Sequence, residues 1–327
     1  MKDWWALPVV ILLQTSVSFA GQSGSPLPQM VLIGIGMPSI VIPQVRGLLD
    51  GLEEAGYFDG KNLTVHHLRS ESAAVLRDRL KEMVRQKVDV IVTSSASETS
   101  IAQQVTSEIP IVFAPSIDPV RMGFIKSRYR PDTNLTGLSY TRNQADNGKQ
   151  LAVFKEIVPG LRRVTLFYDS RPGIGTPESI RASVRRIAQH MNIHLSEHPA
   201  TSSAEAVKVL QPMAKSAIDG AFLICTAVFR GIKPLTAAAT QIGVPLFGCT
   251  ASQVADEGAL MTYAPDIYLL GYRGAWYVDR ILKGAKPDQL PVEAPSQLQL
   301  VINLKNAKAI GLKIPPERLI LADKVFQ

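Results

Sequence analysis

Several signatures of chemical activity are absent from this sequence. It has two cysteines and five histidines. His190, His194 and His198 are four residues apart, but residues 192–197 are predicted to form a strand, so the three cannot share one helical face as metal ligands would. There is no Gly-x-Ser-x-Gly elbow, and no histidine follows a predicted strand end. These absences argue against a metal centre and against a hydrolase.

Signatures of nucleotide and nucleic-acid binding are missing as well. The loop at 171–177 lacks the Gly-Lys-Ser/Thr ending of a phosphate-binding loop. The Gly-Ile-Gly at 34–36 is followed by Ser39 and lacks the acidic residue of a dinucleotide site. The net charge of +7 is scattered, and its densest spots, Arg162-Arg163 and Arg185-Arg186, contain no aromatics. We interpret them as solvated faces and expect no nucleic-acid partner.

The first twenty residues are typical of an export signal. Lys2 precedes an apolar run from Trp4 to Leu13, and Ser18-Phe19-Ala20 has the small-x-small pattern of a cleavage site. The run is short for a membrane span, and no cysteine follows it for lipid attachment. The sequence therefore predicts a cleavable signal peptide over 1–20 and a periplasmic, soluble mature protein.

The remaining length, near 300 residues, exceeds what one hydrophobic core usually supports, so we expect two domains. Apolar residues make up 46% of the chain, enough for sizeable cores. Short apolar runs alternate with helical patterns in both halves, which predicts α/β architecture with parallel sheets.

The stretch from Val88 to Tyr140 carries the first site hypothesis. It contains a buried strand over 88–92, a polar turn, a helix and a second buried strand over 109–114. The hydroxyl residues gather where the first strand ends and the helix begins: Thr93, Ser94, Ser95 and Thr99. Ligands of parallel sheets bind at this end of the strands, and a helix N-terminus favours anions. These side chains therefore either hold a carboxylate or cap the helix.

Taken together, V-D-V-I-V-T-S-S (88–95), I-P-I-V-F-A (109–114), D-P-V-R-M-G-F (118–124) and N-L-T-G-L-S (134–139) resemble one family. It is the substrate-binding proteins of ABC importers, in the group that includes aromatic amino-acid binders. The tail agrees, with Gly-Tyr-Arg-Gly at 271–274 and Ile-Leu-Lys-Gly-Ala-Lys-Pro at 281–287. The resemblance covers about residues 30–327.

The resemblance implies a type I periplasmic-binding-protein fold. Two Rossmann-like lobes, with parallel sheets flanked by helices, are joined by a hinge of crossing strands and close on a small ligand. We expect lobe 1 to contain residues 28–138 and 263–292, and lobe 2 residues 139–262 and 293–327.

The resemblance also places several loops at the ligand cleft. We expect ligand contacts from the loop with Met37 and Ser39 and from the strand end with Pro115 and Ser116. Asp118 either meets a ligand ammonium or caps the short helix that Pro119 begins. From lobe 2 we expect contacts by Tyr168, Ser170, Thr176, Thr226 and Ser252. Tyr168 either stacks on the ligand or packs in the second core.

Lobe 2 departs from the family at two strand ends. The family usually has Asp-Asn or similar where this chain has Thr226-Ala227, and the acidic residue common near Ser252 is missing. An ammonium-bearing ligand is therefore less assured, and Arg230 either meets an acidic ligand or, as we expect, is a solvated loop residue. Cys225 and Cys249 end neighbouring predicted strands; they form a disulfide or remain two buried thiols.

The function expected is that of an exported solute-binding protein of an ABC importer. It would capture an amino acid or related small carboxylate by hinge closure, as a monomer, and deliver it to an inner-membrane permease. No cofactor, metal or catalytic residue is expected. The alternatives are a ligand-sensing module for a membrane kinase and, less favoured, an exported hydrolase.

Overall fold

A computed structural model describes residues 27–35, 43–70, 72–116, 118–141, 146–172 and 175–327. Within them the chain forms two α/β lobes, each built on a largely parallel sheet. This confirms the fold class predicted from the sequence. The predicted signal segment 1–20 lies outside the described residues, as do the predicted ligand contacts Met37 and Ser39.

Lobe 1 contains a wholly parallel sheet of five strands. They are β1 (Gln29–Ile35), β2 (Thr64–Ser70), β3 (Val90–Thr93), β4 (Ile111–Ser116) and β5 (Leu135–Ser139), in the spatial order β2-β1-β3-β4-β5. The helices between them are α1 (Pro43–Glu54), α2 (Ala73–Arg85) and α3 (Ala96–Val105). Every residue of β3 and β4 is buried, as expected for strands covered on both faces.

Lobe 2 contains seven strands in the order β12-β11-β10-β9-β8-β6-β7. The first five along the chain are β6 (Arg163–Asp169), β7 (His194–Ala200), β8 (Gly220–Leu223), β9 (Leu246–Phe247) and β10 (Met261–Ala264). Its helices up to this point are α4 (Asp146–Ile157), α5 (Glu178–His190), α6 (Ser203–Leu210), α7 (Lys233–Ile242) and α8 (Ala251–Ala255). The structure separates the three spaced histidines, because His190 ends α5 whereas His194 and His198 lie in β7.

After β10 the chain crosses back to lobe 1 as α9 (Ile267–Leu282), which packs on α1. The two backbones meet closely, since a Cβ at Gly271 would overlap the carbonyl oxygen of Gln44 and one at Gly47 would overlap that of Tyr268. Glycine is therefore required at the contact.

The face through which α9 packs differs from the predicted one. The helical pattern predicts inward positions at Leu269, Tyr272, Trp276, Val278 and Ile281. Val278 and Ile281 are buried, but Leu269 is 56% exposed, and that part of the prediction is wrong. The small residues Gly271 and Gly274 also take inward positions. Gly271 allows the close approach of α9 to α1, and Gly274 packs against Ala114 of β4.

The chain then returns to lobe 2 as β11 (Gln299–Asn303), α10 (Leu304–Ala309), α11 (Pro316–Leu319) and β12 (Lys324–Phe326). β11 runs antiparallel to β10, and the other neighbouring strands of this sheet are parallel. Leu138 and Glu293 form an isolated bridge beside the predicted lobe boundaries.

In both sheets an aspartate just before one strand bonds the backbone of the neighbouring strand. In lobe 1 the carboxylate of Asp89, just before β3, accepts the backbone N–H of Gln29 in β1 at 2.6 Å. In lobe 2 the carboxylate of Asp219, just before β8, accepts the N–H groups of Arg162 (3.0 Å) and Arg163 (2.8 Å) at the start of β6. In both lobes an aspartate thus joins the N-terminal ends of two neighbouring strands.

Candidate functional site

A cavity of about 110 Å³ lies between the two lobes, where the carboxyl ends of their parallel strands face each other. Lobe 1 lines it with Pro43, Gln44, Ser94, Ser95, Ala96 and Pro115. From the crossing segment and lobe 2 come Tyr140, Cys225, Thr226, Phe229, Arg230, Cys249, Ser252 and Gln253. Of the predicted contacts, Ser94, Ser95, Pro115, Thr226 and Ser252 therefore line this cavity.

The polar turn before α3 is occupied largely by its own hydrogen bonds. Ser95 is the N-cap, and its hydroxyl accepts the N–H of Glu98 at 3.3 Å. Thr93 and Thr99 share a hydroxyl–hydroxyl bond of 2.8 Å, and the Thr99 hydroxyl also bonds the Ser95 carbonyl oxygen. Both threonines are fully buried and do not line the cavity. Their hydroxyl bonds stabilise the turn, and the N-cap of α3 is Ser95.

A carboxylate of the chain itself serves the N-terminus of α3. Glu98 is completely buried, and its Oε2 accepts the N–H of Ser94 at 2.6 Å and the Ser94 hydroxyl at 2.9 Å. A negative charge is favoured at this helix end, but Glu98 already supplies it. Sequence reasoning missed Glu98, although Ser95 followed three residues later by an acid is a capping-box signal.

Arg230 of lobe 2 reaches across the cleft to this carboxylate. Its guanidinium donates to Glu98 Oε1 at 2.8 Å and to the hydroxyl and carbonyl oxygens of Ser94 at 3.0 and 3.1 Å. The Arg230 side chain is 13% exposed, so the expectation of a solvated loop residue is wrong. The buried pair Arg230–Glu98 joins the two lobes at the cavity wall.

Two further arginines connect the lobes at the outer part of the cleft. Arg171 of lobe 2 bonds the fully buried Asp169 at 2.7 Å and donates to the Ser97 hydroxyl of lobe 1 at 2.9 Å. Arg121 of lobe 1 donates to the carbonyl oxygen of Ser179 in lobe 2 at 3.0 Å.

A second, open pocket lies at this outer part. Tyr168, Ser170 and Thr176 line it together with Ser100 and Met122 of lobe 1, and they do not line the cavity. Tyr168 stacks against the guanidinium of a neighbouring arginine, 4.3 Å from the ring centre. These three predicted contacts thus lie at the rim of the cleft, away from the five that line the cavity.

Asp118 is buried and faces the turn over residues 119–123, where the structure has no helix, so the predicted short helix beginning at Pro119 is wrong. Its carboxylate accepts the N–H of Arg121 at 3.2 Å and lies 3.7 Å from the Arg121 guanidinium. It does not line the cavity, and its carboxylate bonds the turn that follows it instead of capping a helix. Ser116 lies buried in β4, where its carbonyl oxygen accepts the N–H of Tyr140 at 2.7 Å.

The lobe 2 wall is built around a disulfide between Cys225 and Cys249, whose Cα atoms are 5.4 Å apart. These residues follow the neighbouring strands β8 and β9, so the bond ties two cavity-lining turns together. The Tyr140 hydroxyl donates to the Cys249 carbonyl oxygen at 2.7 Å. Burial raises the pKa of Tyr140 well above its ordinary value of 10, which keeps this donor protonated.

Two buried polar atoms at the cavity have no partner in the described part of the chain. They are Gln44 Oε1 on the lobe 1 wall and Thr226 Oγ1 on the lobe 2 wall. Buried polar groups are normally hydrogen-bonded, so an unpaired atom on each wall indicates a missing partner. Sequence reasoning identified Thr226 but missed Gln44, which stands at the start of α1 after the carboxyl end of β1.

The sequence model of one protein family, described as ABC transporter substrate binding protein, matches this chain over residues 31–326. The chain belongs to this family. Its members bind small molecules and work with ABC permeases outside the cytoplasm. Across the residues described, no helix combines the length and apolar character that a bilayer crossing requires, and no group of three potential metal ligands comes together there.

Relatives of this substrate-binding protein agree in fold. A tyrosine-binding protein of Clostridioides difficile is 22% identical over 82% of this chain and 76% of the relative. A conserved domain protein of Vibrio cholerae superposes with a TM-score of 0.83, at 28% identity, over 92% of this chain and all of that one. The complex of a Streptococcus pneumonia ABC domain with L-Trp gives 0.82 at 21% identity, with the same coverage. The fold is that of the type I periplasmic binding proteins.

Proposed function

We propose that this protein is an exported solute-binding protein that captures a small ligand between its lobes and delivers it to the permease of an ABC importer. The observation that carries the proposal is the pair of buried atoms without a partner in the described part of the chain, Gln44 Oε1 and Thr226 Oγ1, on opposite walls of one cavity between the lobes. A ligand that bonds both would satisfy them and hold the lobes together.

Hinge closure is supported by the contacts across the cleft. Arg230, Arg171 and Arg121 each bond the opposite lobe. The structure also superposes better on the L-Trp complex, at a TM-score of 0.82, than on a ligand-free, open substrate-binding protein of Clostridium difficile, at 0.62. We infer that the described conformation is the closed one and that the hinge lies near the predicted boundaries at 138, 262 and 292.

The ligand class and location follow from the relatives and the first residues of the chain. The relatives named for tyrosine and L-Trp support an amino acid or a related small carboxylate as the ligand. The pattern over residues 1–20 supports cleavage of a signal peptide and export of the product to the periplasm.

The test is to purify the mature protein without denaturation, unfold it, and identify released small molecules by mass spectrometry. A thermal-shift panel of amino acids and small organic acids would run beside it. We expect one bound class, and we expect Gln44→Ala to weaken its binding about five- to tenfold through the loss of one hydrogen bond.

Gln189→Ala on the exposed face of α5 is the matched control and should bind as the parent does. If no small molecule is released and none stabilises the protein, the binding function is wrong. Turnover of a substrate panel would favour an enzyme in its place.

A further inference from the structure

We propose that Gln44 determines ligand specificity on the lobe 1 wall, where its side-chain amide oxygen accepts a hydrogen bond from an N–H group of the ligand. In an amino acid that group is the α-amino group. The inference rests on the proposed binding function and deepens it, because it assigns one end of the ligand to one residue of lobe 1.

The amide oxygen of Gln44 is buried at the cavity and needs a donor. Gln44 is 9% exposed and lines the cavity, and its Oε1 has no hydrogen-bond partner in the described part of the chain. An amide oxygen accepts hydrogen bonds and cannot donate one. A buried acceptor without a partner is unfavourable, so this atom calls for an N–H or O–H group brought by a ligand.

The strongest donors of the described cavity wall are engaged elsewhere. The Arg230 guanidinium bonds Glu98 across the cleft. The Tyr140 hydroxyl and the Gln253 amide both donate to backbone carbonyl oxygens of lobe 2. The chain therefore keeps these donors for its own structure, and the acceptor of Gln44 stays open to the ligand.

An amino group suits this acceptor better than a hydroxyl does. It carries several N–H donors, whereas a hydroxyl carries one. An amino group can thus bond Gln44 Oε1 and keep further donors for other oxygens, such as the equally unpartnered Thr226 Oγ1. Its positive charge also strengthens each bond. The N-terminal end of α1 itself disfavours a cation, so the preference for an amino group must come from the amide oxygen.

The structure holds this acceptor in a fixed place. Gln44 is the second residue of α1, and side chains in a helix point towards its N-terminus, here towards the cleft. Its backbone is packed tightly against α9, because a Cβ at Gly271 would overlap the Gln44 carbonyl oxygen. A site whose fixed polar group is left unpaired by an analogue rejects that analogue strongly, so Gln44 can discriminate between ligands.

The ligand test compares molecules that share one carbon skeleton. Valine, hydroxyisovalerate and isovalerate form one set, and tyrosine, hydroxyphenyllactate and hydroxyphenylpropionate form a second. Each set replaces the amino group first by a hydroxyl and then by hydrogen. Calorimetric titration should show that at least one amino acid binds, and that its deaminated partner binds about ten-fold more weakly or worse. The hydroxy acid should lie between them.

The protein test changes the acceptor itself. Gln44→Leu keeps the size of the side chain and removes its oxygen, so the amino acid should lose about ten-fold in affinity while its deaminated partner keeps its own. Gln44→Glu places a carboxylate in the first turn of α1, which has no acid there, and should raise the preference for the amino acid above that of the parent. Gln189→Leu and Gln189→Glu on the exposed face of α5 are the matched controls.

A competing acceptor is tested in parallel. Asp146 follows the cavity-lining Tyr140 in sequence, and Asp146→Asn should leave the preference for the amino acid unchanged. If Asp146→Asn removes the preference while folded Gln44→Leu retains it, the amino group is bound elsewhere and the inference is overturned. Thermal unfolding would show that each variant folds.

The ligand panel separates failure of the inference from failure of the binding function. If a deaminated acid or a hydroxy acid binds the parent as tightly as its amino acid, the inference is overturned while the binding function stands. If none of the amino acids binds, the inference fails, and release of another small molecule from the native protein would show that the binding function survives. If no molecule is released either, both fail.

Discussion

Gln44 stands on the lobe 1 wall because α1 packs backbone to backbone on α9, whereas Thr226 stands on the lobe 2 wall beside a disulfide. One wall is therefore positioned by close packing without side chains, and the other by a covalent bond between two turns. Both place an unpaired polar atom in the same cavity. Helix packing in lobe 1 and a disulfide in lobe 2 thus each position a polar atom that can bind a ligand.

The two walls of the cavity also differ in charge. Lobe 1 contributes the carboxylate of Glu98 and lobe 2 the guanidinium of Arg230, and the two meet across the cleft. The walls are thus joined by their most costly buried groups, and opening the cleft would return both to water.

Removing the lobe 2 disulfide should have the largest effect on the free energy of unfolding. The disulfide closes a loop with a sequence separation of 24, and the chain-entropy model gives about 3.5 kcal/mol for a loop of this length. The double change Cys225→Ser with Cys249→Ser should lower the free energy of unfolding by this amount in urea titrations. Adding a reductant to the double variant is the control and should change nothing further. A parent protein whose stability ignores the reductant would contradict the prediction.

Disturbing the close packing of α1 on α9 in lobe 1 should lower the free energy of unfolding by about 3 kcal/mol. In Gly271→Ala the new methyl would overlap the Gln44 carbonyl oxygen, so α1 and α9 must separate. Ligand affinity should fall too, because Gln44 moves with α1. Gly160→Ala, where a Cβ meets open space, is the matched control. Equal melting temperatures for the two variants would show that the helices accommodate the methyl.

Weakening the link between the walls should have a smaller effect. If the lobes hinge as proposed, Glu98→Gln should shift the equilibrium about ten-fold towards an open form, about 1.4 kcal/mol, because a charge-assisted bond across the cleft is lost. Small-angle scattering would report a larger radius of gyration. Glu53→Gln, exposed on α1, should leave the radius unchanged, and the same radius in both variants would speak against the link.

The two aspartates that bond the backbone at strand starts, Asp219 and Asp89, should have the smallest effects on stability. The effect of Asp219 should also depend on pH. Hydrogen bonding from Arg163 holds the pKa of Asp219 below its ordinary value of 3.8. A carboxylate with a lowered folded pKa stabilises the fold above the unfolded pKa, and this contribution is lost as the pH falls through the folded pKa. Asp219→Asn should therefore cost about 1 kcal/mol at pH 7, since solvent partly screens the pair, and progressively less below about pH 4.

Asp89→Asn is the lobe 1 counterpart and should lower the free energy of unfolding by about 0.5 kcal/mol, because among the described residues its carboxylate accepts the Gln29 N–H and pairs with no arginine. Urea unfolding at several pH values measures both variants. A cost of Asp219→Asn that grows as the pH falls would contradict the assignment.

Much of the fold was predictable because its signals are local. The apolar runs predicted as strands over 88–92 and 109–114 became β3 and β4, with ends within two residues of those predicted. Periodicity failed for α9, where Leu269 was assigned inward and is exposed. One inward position belongs to Gly271, whose value depends on a partner helix about 220 residues away in the chain.

The sequence by itself determined the two α/β lobes, the hydroxyl-rich turn at α3 and the family, since each depends on neighbouring residues or on motifs in order. The tertiary structure alone decided which side chains face the cavity. Arg230 and Glu98 are 132 residues apart, and no local pattern couples them. Their pairing, and with it the charge that a ligand meets, arises only when the carboxyl ends of two separate sheets are brought face to face.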